Sequence, residues 1–186
     1  MTKKMYVVRH CEARGQAAEA QLTEQGEKQA EFLAEFFSDK KIDRIVSSPF
    51  LRAIQSVEPL SRKTNIKIEI DDRLSERILS TTDLPDWYEK LKETFNDEEL
   101  KFEGGESSLE AMNRIVSVVD EVFKSETEST LIVTHGNIMS LLLKNFKSEF
   151  GFGCWKSLSN PDVFQLSLIG NEVIIERIWK EQMNIK

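Results

Sequence analysis

The chain has 186 residues, the length of one domain at about 100 to 200 residues per domain, so residues 1–186 are expected to form a single unit whose core needs no disulfide or metal. Hydrophobic residues at 40% and charged residues at 31%, with 8 Gly and 4 Pro, exclude collagen-like, low-complexity and disordered chains. A formal charge of -7 and scattered basic residues argue against a nucleic-acid or anionic-membrane partner, and the lack of any long apolar run or signal-peptide pattern leads us to expect a cytoplasmic protein.

Met5 to Arg9 is a short β-rich run that ends at His10. Thr23 introduces a helix to about Phe37, with Ala30, Leu33, Ala34 and Phe37 spaced for one buried face. Asp43 to Ser47 reads as a second strand, and Ser48-Pro49 as the start of a helix to about Arg62, with Ser capping and Pro at the first helical position. Ile66 to Ile70 alternates as a third strand. The pattern then weakens, although Leu84, Trp87, Tyr88, Leu91 and Phe95 keep helical spacing; such a stripe is more often packing than an aromatic lid. Gly104-Gly105 breaks it, and Glu106 to Lys124 is the clearest amphipathic helix. Thr130 to Thr134 is a buried strand, followed by a turn at His135-Gly136 and a helix over Asn137 to Asn145. Val163 to Ile169 and Glu172 to Trp179, joined at Gly170-Asn171, form a hairpin. This alternation predicts an α/β fold with a central sheet and a C-terminal antiparallel pair.

In such a sheet the ligand site lies beyond the carboxyl ends of the strands. Both histidines of the chain fall there: Arg9-His10 ends the first strand and His135 the fourth, while Arg52 lies in the helix after the second. The helix after His135 also offers an N-terminus whose free N–H groups favour an anion. Arginine forks match phosphoryl oxygens, and one imidazole can attack phosphorus, so the convergence points to phosphoryl chemistry. Taken singly, each of these residues reads more readily as a structural histidine or an ion-paired arginine than as part of a site. The two histidines lack the spacing of a helical metal pair, and Cys11 and Cys154 match no metal or disulfide pattern, so neither metal nor cofactor is expected.

Five segments in order carry a resemblance: Val7-Val8-Arg9-His10; Leu22-Thr23 with Gly26, Gln29 and Ala30; Ser47-Ser48-Pro49 with Arg52, Ala53 and Gln55; Leu74 with Glu76; and Val133-Thr134-His135-Gly136. Together they resemble the histidine phosphatase superfamily, the phosphoglycerate-mutase-like group. The resemblance implies a three-layer α/β/α sandwich, with His10 as the nucleophile that becomes phosphorylated. It implies Arg9, Arg52 and His135 as the groups that hold the phosphoryl oxygens, and Glu76 as proton donor to the leaving group. Glu12, beside the nucleophile in sequence, is the competing acid. Gln16 stands where the family usually has a phosphate-touching Asn, and is carried over for that contact; Cys11 stands where the family usually has Gly. A cysteine-phosphatase loop of the Cys-x5-Arg kind is absent, since the sixth residue after Cys11 is Ala17.

The implied activity is a metal-independent phosphomonoesterase acting on a small phosphorylated metabolite through a phosphohistidine. The nearest alternative is a phosphoglycerate mutase, disfavoured by the short segment between Glu76 and Gly105. A non-catalytic phosphate-binding module would be expected to lack His10 or the acid, and both are present. The loop Gly104 to Ser107 resembles a family loop near the site, but nothing in the sequence gives Glu106 or Ser107 a role.

Overall fold

The computed structural model describes residues 2–180. Six strands form one sheet: β1 (Lys3–Arg9), β2 (Arg44–Ser47), β3 (Ile68–Ile70), β4 (Ser129–Thr134), β5 (Asp162–Ile169) and β6 (Glu172–Arg177), in the order β3-β2-β4-β1-β5-β6. The first four strands of that order run parallel and the last two attach antiparallel, as the helical crossovers and the closing hairpin require. Gly170 turns the hairpin at φ +62°.

The inner strands are buried on both faces, and their alternation sorts two cores. Met5, Val7 and Ile132 point to one core, together with Ile115, Val119, Ile138 and Leu142 from α4 (Ser108–Lys124) and α5 (Gly136–Phe146). Tyr6, Val8, Leu131 and Val133 point to the other, against Leu33 and Phe37 at the end of α1 (Glu24–Phe36) and Ala53, Val57 and Leu60 of α2 (Leu51–Thr64). Helices therefore cover both faces, which is the α/β/α layering.

Thr23 caps α1 as expected, its hydroxyl accepting the Gly26 N–H at 2.9 Å. The expected start of α2 is corrected: the helix begins at Leu51 with Phe50 as its capping residue, and Ser48 accepts the Phe50 N–H from outside the helix. The weak central stripe becomes α3 (Trp87–Thr94), which buries Leu91 and, just beyond its end, Phe95. Tyr88 packs its ring 5.5 Å from Phe152 in α6 (Phe152–Ser157), a six-residue helix with no sequence-level forecast, while Trp87 stays half exposed. No helix among the described residues is long and apolar enough to cross a membrane.

Candidate active site

Because β2, β4 and β1 are adjacent and parallel, their carboxyl ends deliver three short segments to one place. The backbone continues the ladder one residue past β1 and β2, with His10 N–H donating to Thr134 O at 3.1 Å and Ser48 N–H to Val133 O at 3.0 Å. The His10 and His135 ring centres lie 5.1 Å apart. Arg52, only 1% exposed, reaches in from the first turn of α2 and donates from Nε to His10 Nε2 at 3.3 Å.

The state of His10 follows from its partners. Nδ1 lies 2.7 Å from the Cys11 carbonyl, which can only accept, so Nδ1 carries the proton and Nε2 keeps its lone pair. Burial, followed by the charges of Arg52 and Arg9, pushes the imidazole down to about 3, so His10 is neutral at ordinary pH. A neutral imidazole with a lone pair aimed among guanidinium groups is a nucleophile ready for an electrophile that carries negative oxygens.

His135 is fully buried, and burial with the surrounding positive groups holds it well below its ordinary value. The Ser48 hydroxyl accepts the Phe50 N–H at 3.2 Å and lies 2.8 Å from His135 Nε2, to which its own proton is free to donate. With Ser48 donating, the His135 proton sits on Nδ1, a buried nitrogen with no partner among the described residues. Arg9 Nε is a second such donor. The Arg9 guanidinium packs on Gly136, where a Cβ would come within 2.9 Å of Nε, so only glycine leaves it this position. Buried donors without acceptors are costly, and two of them beside a neutral imidazole mark a place that an anion completes.

Glu76 enters from the segment after a 3-10 turn, Asp72–Leu74, which β4 pins by a 2.6 Å hydrogen bond from the Thr134 hydroxyl to Leu74 O. Its carboxylate accepts from Asn137 N–H at 3.1 Å, Ile138 N–H at 2.9 Å and Arg77 N–H at 2.8 Å. This corrects the expectation that the N-terminus of α5 is free for an incoming anion: a side chain of the protein already sits on it. Glu76 also counts among the charges that act on both Arg9 and Arg52, so the acid and the guanidiniums share one neighbourhood.

Two of the named residues are not brought into this cluster by their side chains. Gln16 is exposed, and it is its carbonyl oxygen, with that of Ala17, that accepts from Arg52 Nη1 at 3.2 and 2.8 Å. Glu12 is exposed and accepts the Thr23 hydroxyl at 2.8 Å. Other residues join the cluster without having been forecast. Phe50 sets its ring 4.8 Å from His135 and 4.9 Å from the Arg52 guanidinium. Asn160 donates to His10 O at 2.9 Å, and Leu158 O accepts from Arg9 Nη1 at 3.2 Å. The Ser-Ser-Pro run pointed toward Ser48, but no spacing could reveal Asn160, 150 positions from its partner.

Residues 5–177 match the histidine phosphatase superfamily, branch 1. The chain belongs to that superfamily. Phosphoserine phosphatase 1 of Hydrogenobacter thermophilus is 27% identical over 172 residues, which cover 81% of this chain and 82% of the relative. Among solved structures, a mycobacterial glucosyl-3-phosphoglycerate phosphatase superposes with a TM-score of 0.76 at 22% identity, covering 95% of this chain and 97% of its own. A phosphoglycerate mutase from Bacillus anthracis does so with a TM-score of 0.74 at 18% identity, covering 95% and 92%. At those identities the structures speak for the shared fold. Membership of that superfamily, with a relative named a phosphoserine phosphatase, supports phosphatase activity.

Proposed function

We propose that the chain hydrolyses a small phosphate monoester, with phosphoserine the first candidate, through a phosphohistidine on His10 Nε2 and without a metal. The observation that carries this reading is the tautomer of His10, with its proton held on Nδ1 by Cys11 O and its Nε2 lone pair facing Arg52. In the first half-reaction Nε2 forms a bond to phosphorus as the bond from phosphorus to the ester oxygen breaks. Glu76, a carboxylate before the substrate binds, takes up a proton as the phosphate anion arrives beside it and gives that proton to the departing oxygen. Arg9, Arg52 and His135 Nδ1–H hold the non-bridging oxygens, where charge builds in the transition state. In the second half-reaction Glu76 takes a proton from water as the water oxygen attacks phosphorus and the bond from phosphorus to His10 Nε2 breaks, so that inorganic phosphate leaves with His10 neutral again.

Phosphoserine is favoured by the relative of nearly matching length, itself named a phosphoserine phosphatase. No group of three or more His, Cys, Asp or Glu side chains suited to a metal occurs among the described residues, and positive groups fill the role a metal ion would take. The two free thiols, Cys11 and Cys154, suit a reducing compartment such as the cytoplasm. The test is a rapid-quench labelling experiment with phosphoserine and other phosphorylated metabolites. An acid-labile phosphoryl group on His10, formed at least as fast as turnover and unaffected by EDTA, is expected. Turnover without such a group, or turnover lost in EDTA and restored by a divalent ion, overturns the mechanism.

A further inference from the structure

The segment that carries Glu76 has no regular secondary structure beyond the short 3-10 turn, yet its backbone is held at nearly every residue. One guanidinium does much of this. Arg114, from the second turn of α4, donates through Nη1 to Arg73 O at 2.7 Å and Ser75 O at 2.8 Å, and through Nη2 to Glu76 O at 3.2 Å. It is held in turn by the Glu106 carboxylate, 2.7 Å from Nε and 3.0 Å from Nη2. Glu106 also reaches the far side of the same segment. Its Oε2 accepts the Ile78 N–H at 2.9 Å, and its own N–H donates to Ile78 O at 2.7 Å. Arg77, buried, ties the segment once more by donating to Glu106 O at 2.9 Å.

Three carbonyl oxygens and a carboxylate converge on one planar fork, a geometry that lysine cannot reproduce. The Gly104-Gly105 turn exists to bring Glu106 there. Gly104 takes φ +70°, and a Cβ on Gly105 would lie 2.1 Å from Leu79 O, so the turn presses its backbone directly on the acid-bearing segment. Both partners of the pair keep only 20% side-chain exposure, so solvent does little to screen it.

We infer that Arg114 and Glu106 are positioning residues for the proton donor, fixing the backbone from Arg73 to Ile78 so that the Glu76 carboxyl stays over the leaving-group oxygen. The inference rests on the reading of Glu76 as that donor. Neither residue touches the phosphoryl group. Their loss is therefore felt in protonation of the leaving group and not in phosphate binding or nucleophilic attack.

The experiment is kcat/KM across a series of phosphate monoesters, from nitrophenyl esters whose leaving groups need no proton to alkyl esters whose leaving groups do, for the parent, Glu76→Gln, Arg114→Lys and Glu106→Gln. Since kcat/KM covers only the steps through formation of the phosphohistidine, later hydrolysis does not blur it. General acid catalysis is worth about 10² to 10⁴, so Glu76→Gln should lose about that factor on alkyl esters and much less on nitrophenyl esters. Arg114→Lys and Glu106→Gln should show the same slanted loss at a smaller amplitude, on the order of 10-fold on alkyl esters. A slanted Glu76→Gln profile with level Arg114→Lys and Glu106→Gln profiles would overturn the positioning role while leaving the donor in place. A level Glu76→Gln profile would remove the donor reading and the inference with it. Should Arg114→Lys lower the melting temperature too far to assay, Glu106→Gln decides alone, because its amide oxygen still accepts the Ile78 N–H while its NH2 stands where Oε1 accepted from Arg114 Nε, so that this bond and the charge toward Arg114 are lost.

Discussion

The two sides of this site are held by different means. His10, His135 and Arg9 stand at the ends of central strands, where the ladder of β1 against β4 continues one residue beyond regular structure. Glu76 stands on an irregular segment that is bonded to the rest mostly through side chains: Thr134 on Leu74 O, Arg114 on three carbonyls and Glu106 on Ile78. Backbone ladders are cooperative and survive most side-chain changes, whereas a side-chain clamp fails with one residue. The nucleophile side is therefore built for fixed geometry, and the acid side depends on side-chain contacts, most of them made by the Arg114–Glu106 pair.

The comparison breaks most sharply at the nucleophile. His10→Ala removes the atom that accepts the phosphoryl group while leaving β1 in its ladder, so turnover should fall by at least about 10³-fold with the fold intact. A variant that keeps normal turnover would mean that another group forms the covalent bond. Arg52→Ala and His135→Ala each remove an oxyanion donor and should cost about 10²- to 10³-fold in kcat, read with a saturating substrate. Gly136→Ala sharpens the contrast, because the added methyl pushes on the Arg9 guanidinium at 2.9 to 3.0 Å without touching the ladder. A loss of about 10-fold or somewhat more with an unchanged melting temperature is expected; an unchanged kcat/KM would show that Arg9 tolerates displacement.

The buried histidines also set a pH dependence of stability. The folded-state value for His10, about 3, lies below the unfolded value of about 6.5. Between those values the unfolded chain binds the extra proton, so stability is present above about 6.5 and is lost as pH falls through that window. His10 alone contributes a slope of up to about 1.4 kcal/mol per pH unit. Urea unfolding of the parent and of His10→Asn between pH 7 and about 5, a range above most carboxylate titration, should show the slope shrink by about that amount in the variant. Equal slopes would mean that His10 is not buried in its neutral form.

What was legible in the sequence follows the same division. The strand ends could be read because β1 and β4 are local apolar runs that stop at His10 and His135, and Arg52 falls one turn into the next helix. Thr23 was readable as a cap because a cap acts over three residues. Ser48 does accept the Phe50 N–H ahead of α2, but its second contact, with His135, spans 87 positions and is invisible to local pattern. The N-terminus of α5 was expected to be open because the residue that fills it, Glu76, comes from 61 positions upstream. Arg114 looked like one more charged position on an amphipathic helix, and Glu106 like the charged residue after a glycine turn; only the folded chain brings both to the segment around Glu76. The six-residue α6 is too short and too aromatic to show a helical period.

The smallest effect is expected at Cys11, which sits next to the nucleophile between Arg9 and Arg14, where positive charge would activate an exposed thiol but a buried Cys, the commoner case, is inert. The fold removes the first possibility. The residue is 0% exposed, and burial pushes its thiol up to about 12, against which the neighbouring Ser56 hydroxyl acts only weakly. A thiol with that value is almost entirely protonated at neutral pH and has no path to a reagent, so it behaves as a small apolar filler. Its backbone does the chemical work, with the carbonyl holding the proton of His10 Nδ1 and the N–H donating to Ser56 Oγ at 2.8 Å. Cys11→Ser keeps both backbone contacts, and the hydroxyl it introduces has Ser56 as a partner, so kcat/KM should change by less than about 3-fold and stability by about 1 kcal/mol or less. In the native protein a maleimide should label only the partly exposed Cys154, with Cys11 reacting once the chain is unfolded. Rapid native labelling of Cys11 with loss of turnover would show that the strand end opens, and the rigidity assigned to the nucleophile side would have to be given up.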